Sequence, residues 1–132
     1  MAIGDHATGE MRLETVIDSD SEDFKRAYKK TKDELLRMGI TADVEEVILN
    51  VVLKCAIERT AWEAFAKTDM KGDGWSWNFY VDFPPVGEAG LYLDVHDKIR
   101  IRSTARWVTS DAGEYGVFLT VRIGDFIVSP ID

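Results

Sequence analysis

Val117-Phe118-Leu119-Thr120-Val121-Arg122-Ile123-Gly124-Asp125-Phe126-Ile127-Val128 is the stretch whose reading decides the fold. Up to Ile123 the odd positions are apolar, while Thr120 and Arg122 occupy even ones. A period of two is the mark of a strand with one buried face. Gly124-Asp125 then suits a two-residue hairpin turn with Gly first. That turn pairs Ile123 with Phe126 and sends Phe126 and Val128 inward.

The same phase extends toward the N-terminus. In Trp75-Ser76-Trp77-Asn78-Phe79-Tyr80-Val81-Asp82-Phe83 every odd position is large and apolar, and Pro84-Pro85 ends the run. Leu91, Leu93 and Val95 continue it, as do Ile99, Ile101 and Trp107. A three-residue loop at His96-Asp97-Lys98 sets Val95 beside Ile99 and keeps both on the apolar face. Residues 75–129 therefore read as an antiparallel meander of about five strands.

Residues 20–67 change period. Phe24, Tyr28, Thr31, Leu35 and Met38 fall on one stripe at steps of three and four, which predicts a helix from about Asp20 to Met38. Ser19 and Glu22 have capping-box spacing, and Gly39 supplies the stop. Thr41 is placed to cap a second helix that ends near Lys67. Its stripe is Val44, Ile48, Val51, Cys55, Trp62 and Phe65, widened by Leu49, Val52, Leu53 and Ala56. The short link between the helices implies an antiparallel hairpin. The fold class is α+β, a helical hairpin packed on one face of the sheet within a single domain spanning 1–132. Val44, Ile48, Val51 and Cys55 are expected to meet Phe79, Val81, Ile101 and Leu119, with Cys55 an inert core thiol and Val51→Asp costly. Residues 11–17 allow a short strand with Met11, Leu13 and Ile17 in phase and Val16 out of it. Residues 1–10 read as a loose tail.

Composition narrows the function. The chain of 132 residues carries 16 Lys and Arg against 24 Asp and Glu, a formal charge of -8. Coating a nucleic acid or an anionic membrane needs a basic surface, so neither is expected. One Cys and two His exclude a disulfide framework, a Cys-based zinc site and a three-His metal site. No cofactor motif is present. Asp69-Met70-Lys71-Gly72-Asp73-Gly74 opens like a calcium loop, but Lys71 fills a ligand position and Tyr80 stands where a bidentate Glu is required. The first ten residues show no targeting signal, and charges interrupt the most apolar segment, 44–57, so a cytoplasmic protein is expected.

The even strand positions form the face opposite the core. Arg100, Arg102, Arg106 and Arg122 lie there and, with Lys98, are the basic residues of 74–132. Arg forks read phosphate and carboxylate bidentately and stack on planar rings. Tyr80, Tyr92 and Phe118 share that face. Trp75, Trp77, Phe79 and Trp107 have core phase, and Trp75, beside the Gly-rich loop, is the most open of them. The face thus forms a candidate ligand site of Arg100, Arg102, Arg106, Arg122, Tyr80, Phe118 and Trp75. Arg100 and Arg102 are expected to grip phosphate, Arg106 or Arg122 to add a contact, and Tyr80 or Phe118 to stack on a ring. The plainer reading is a solvated face whose Arg pair with Asp82 and Asp94.

The function expected is non-catalytic binding of a small anionic, nucleotide-like ligand, for sequestration or sensing, by a homo-oligomer, most simply a two-fold dimer. A competing expectation is a small acidic inhibitor that occupies a basic surface of a protein target, supported by the charge and by Asp18, Asp20, Glu22 and Asp23. In general style such a chain resembles phage or mobile-element accessory proteins, though no motif carries that likeness. A small hydrolase using Asp94 and His96 is a third, weaker reading, since an Asp-x-His at a turn is more often a surface histidine.

Overall fold

The computed structural model describes residues 8–68, 75–84, 98–111 and 117–131. Its elements in chain order are β1 (Thr8–Asp18), α1 (Glu22–Arg37), α2 (Val44–Ala66), β2 (Trp75–Val81), β3 (Lys98–Asp111) and β4 (Val117–Pro130). The fold is α+β, with one four-stranded sheet among the described residues in the order β1-β3-β4-β2.

The sheet departs from the expected meander in three ways. First, it is mixed. β1 and β4 flank β3 antiparallel, whereas β2 runs parallel to β4, with Trp77 opposite Leu119 and Phe79 opposite Val121. Alternation shows which face a strand buries but not which neighbour it takes. Second, β1 is a full strand that begins at Thr8, inside the stretch expected to be loose. Leu13, Thr15 and Ile17 are buried, and Val16 is 51% exposed, as its opposite phase requires. Third, Gly124-Asp125 is no hairpin turn. β4 runs straight through it, and the register with β3 slips by one residue there, from Arg102 opposite Ile127 to Thr104 opposite Gly124. This is a β-bulge, with Asp125 as the left-handed residue at φ 56°. The extra residue swaps the faces, so Phe126 and Val128 still pack on the core. The expected strand over 91–95 and the His96-Asp97-Lys98 loop include residues outside the described ones.

α1 starts two residues later than expected. Ser21, in extended backbone, is its cap and accepts a hydrogen bond from the Phe24 N–H at 3.1 Å. Ser19 is buried in the preceding turn. The helix ends in a Schellman arrangement, in which Ile40 N–H bonds the Leu35 carbonyl and Gly39 N–H that of Leu36, with Gly39 at φ 77°. Met38 falls in this cap and is exposed. α2 opens from Asp43 at φ 49°, so Thr41 is not its cap. Asp43 makes no side-chain capping bond, and Glu45 and Glu46 place two negative charges in the first turn, at the positive end of the helix.

α2 is the helix that covers the sheet. Leu49, Leu53, Ile57, Ala61 and Phe65, four residues apart, line one side and join Ile101, Ala105, Leu119, Val121 and Ile123 in the main core. Ile48 and Val52 face sideways and make a second cluster with Leu35 of α1. Only the first turns of α1, through Phe24 and Tyr28, reach the main core. Val51 and Cys55, expected to be buried, lie on the remaining side and are exposed. A helix apolar on several sides does not reveal its inward side from periodicity alone. At the far end Phe65 is fully buried and meets Trp77, Phe79 and Trp107 edge-on, with Trp107 at 5.4 Å and 88°. Trp62 stacks flat on Trp77 at 5.1 Å.

Three outcomes test this packing. In urea titrations Val52→Asp costs more than about 3 kcal/mol, because its charge is buried unpaired, while Val51→Asp costs less than about 1 kcal/mol. Gly9 lies directly opposite Trp107, whose six-membered ring occupies the space a Cβ would need. Gly9→Ala therefore costs about 1–3 kcal/mol by overpacking. Burial, with the Glu45 charge adding to it, raises the Tyr28 phenol above its usual 10.0. The unfolded chain then loses that proton first, so stability falls as pH rises above 10, and Tyr28→Phe removes that part of the fall.

Candidate functional site

The outer sheet face is built by the even positions of β1, β2 and β3 and by those of β4 up to the bulge. Beyond it the odd residues Asp125 and Ile127 take over, both exposed. Strand order then decides which side chains become neighbours. One row crosses the whole described sheet: Glu10, Arg106, Arg122 and Tyr80 stand in register on β1, β3, β4 and β2. Arg106 and Arg122 are directly opposed, which sets their Cβ atoms about 5 Å apart.

Carboxylates surround this cationic pair. Arg106 Nη2 lies 2.7 Å from Asp125 Oδ2 and its Nε 3.6 Å from Glu10. Arg122 Nη1 is 3.9 Å from Asp82 Oδ1, and its guanidinium sits 4.9 Å from the centre of the Tyr80 ring. Both Arg side chains are more than half exposed. Exposed ion pairs of this kind contribute only about 0–1 kcal/mol each. Arg106, Val108, Thr120, Arg122 and Asp125 line an open depression of about 550 Å³.

The other two arginines lie further toward the N-terminal end of β3. Arg102 is about 13 Å from Arg106 along the strand. Arg100 pairs diagonally with Glu14 of β1. Arg102 stands opposite Glu14 and Ile127 and has no ion pair among the described residues. It lines a second open depression of about 510 Å³ with Arg12, Thr104, Asp125 and Ile127. Asp125, at the bulge, borders both depressions.

The expected set is thus divided. Arg106, Arg122 and Tyr80 come together, Arg100 and Arg102 form a separate group, and Phe118 joins neither. Phe118 is 39% exposed and lies four residues from Arg122 on β4. Trp75 opens β2 opposite Val117, with its side chain outside the described residues, as are Tyr92, Asp94 and His96. Of the plainer reading, the Asp82–Arg122 pair is present. Glu10, Arg12 and Asp125 were not picked out from the sequence. The alternation of Glu10, Arg12 and Glu14 with Met11 and Leu13 carried a signal for the first two. Asp125 carries no such signal, because Gly124-Asp125 has the composition of a turn.

This arrangement can hold an anion between two guanidinium groups and present an aromatic ring beside it. Among the described residues no group of three His, Cys, Asp or Glu could hold a metal ion. No helix among them is long and apolar enough to cross a membrane. Comparison of the chain with protein-family models, with curated proteins and with solved structures gives no match.

Proposed function

We propose that this chain is a non-catalytic binding protein for a small anionic, nucleotide-like ligand held on the outer sheet face by Arg106, Arg122 and Tyr80, and that it acts as a homo-oligomer. The observation that supports this most is the direct opposition of Arg106 and Arg122 in the middle of the sheet. Like charges opposite each other across strands are destabilising. The flanking carboxylates are exposed and weakly held, so a phosphate can displace them and take a fork from each Arg. The Tyr80 ring, already beside Arg122, offers a face for a planar group.

This assignment changes the roles expected from the sequence. Arg106 and Arg122 grip the anion. Arg100 is engaged by Glu14, and Arg102 stands apart. The net charge of -8 favours a compact anion, because the surrounding carboxylates repel a long polyanion.

Calorimetry with ATP, ADP and cyclic nucleotides tests the reading. Binding is expected to weaken at least about tenfold in Arg106→Ala/Arg122→Ala, the loss of charge-assisted hydrogen bonds. Arg100→Ala/Arg102→Ala should change it no more than a few-fold. Absence of binding to any of these nucleotides, or a tight complex with the first double variant, contradicts the proposal. Salt-labile capture of a basic protein would then favour the acidic-inhibitor reading.

A further inference from the structure

β1 pairs with β3 along one side and with no described residue along the other. On that side its outward N–H and C=O groups, carried by alternate residues of an unbroken register, have no strand partner among the described residues. Natural edge strands are usually blunted by Pro, Lys or a bulge, because an open edge templates further pairing. Thr8–Asp18 contains neither Pro nor Lys, and the one register slip of β3 lies against β4. α1 packs mainly on α2, and its first turns border β1 only at Val16, Ile17 and Asp18 among the described residues.

The outward charges of β1 select a partner. They run Glu10, Arg12, Glu14, and Asp18 closes the strand. An antiparallel copy centred on Arg12 would set Arg12 against itself and Glu10 against Glu14. Centred on Leu13, all eleven residues overlap, and Arg12 meets Glu14 of the second copy while Glu14 meets its Arg12. Thr8 then lies opposite Asp18, and no like charges are directly opposed.

We infer that β1 is the docking edge for a second copy of this chain, paired antiparallel about Leu13. The two-fold axis stands perpendicular to the sheet, so both outer faces point the same way. The described strands then form one sheet of eight. Across the junction the rows read Arg102, Glu14, Arg12 of the second copy, and their symmetry mates. Arg12, which has no ion pair among the described residues, gains one. The two depressions lined by Arg12 and Arg102 adjoin at the axis. This inference does not depend on the ligand reading.

Light scattering at about 100 µM is expected to give a dimer. Arg12→Glu should weaken it about tenfold, through two symmetry-related repulsions, as should Glu14→Arg, and the double variant should recover it. Circular dichroism checks that each variant is folded. In a Cys55→Ser background, a mixture of Arg12→Cys and Glu14→Cys proteins should form the mixed disulfide faster than either protein alone cross-links to itself. A monomeric wild type overturns the inference. So does a dimer indifferent to charge at both positions, or one whose mixed disulfide shows no preference.

Discussion

A single extra residue in β4 organises both faces of this protein. Odd positions of β4 point at α2 up to Ile123, and even positions do so from Phe126 onward. Without the bulge at Asp125, Phe126 and Val128 would face solvent, and Ile127, now 62% exposed, would be the residue buried. The same residue shapes the outer face. Its left-handed backbone carries the carboxylate to 2.7 Å from Arg106 and sets it between the two depressions. Asp is one of the few residues that adopts this conformation at modest cost and can also answer a guanidinium.

That bulge also explains what could be read from the sequence. The inversion of phase after Ile123 was legible, and so was its result, the burial of Phe126 and Val128. Its cause was not, because a two-residue hairpin turn and a one-residue bulge shift the alternation in the same way. The inward face of every described strand was legible for a similar reason, down to the exposure of Val16. Strand order was not, since a strand's own side chains do not name its neighbour. α2 was legible as a central helix, but with apolar residues on three sides its rotation was open, and Val51 and Cys55 lie on its exposed side.

The candidate site shows the same division between what is local and what is long-range. That Arg100, Arg102, Arg106 and Arg122 share one face follows from their even numbers and the core phase beside them. Which of them meet depends on β4 lying between β3 and β2, and on β1 occupying the opposite edge. This order brings Arg106, Arg122 and Tyr80 into one row and commits Arg100 to Glu14. The outer face is therefore a balanced field, in which opposed cations are held by exposed carboxylates with little energy on either side. Under the proposed function, such a field exchanges internal partners for an external anion with little structural change.

The measurement that tests this account most directly is a nuclear magnetic resonance titration of nitrogen-15-labelled protein with inorganic phosphate and then ADP. The account predicts that the Nε–H signals of Arg106 and Arg122 and the backbone amides of Tyr80 and Asp125 move most, while those of α1 and α2 stay in place. Shifts confined to the helices, or none at saturating ligand, would contradict it.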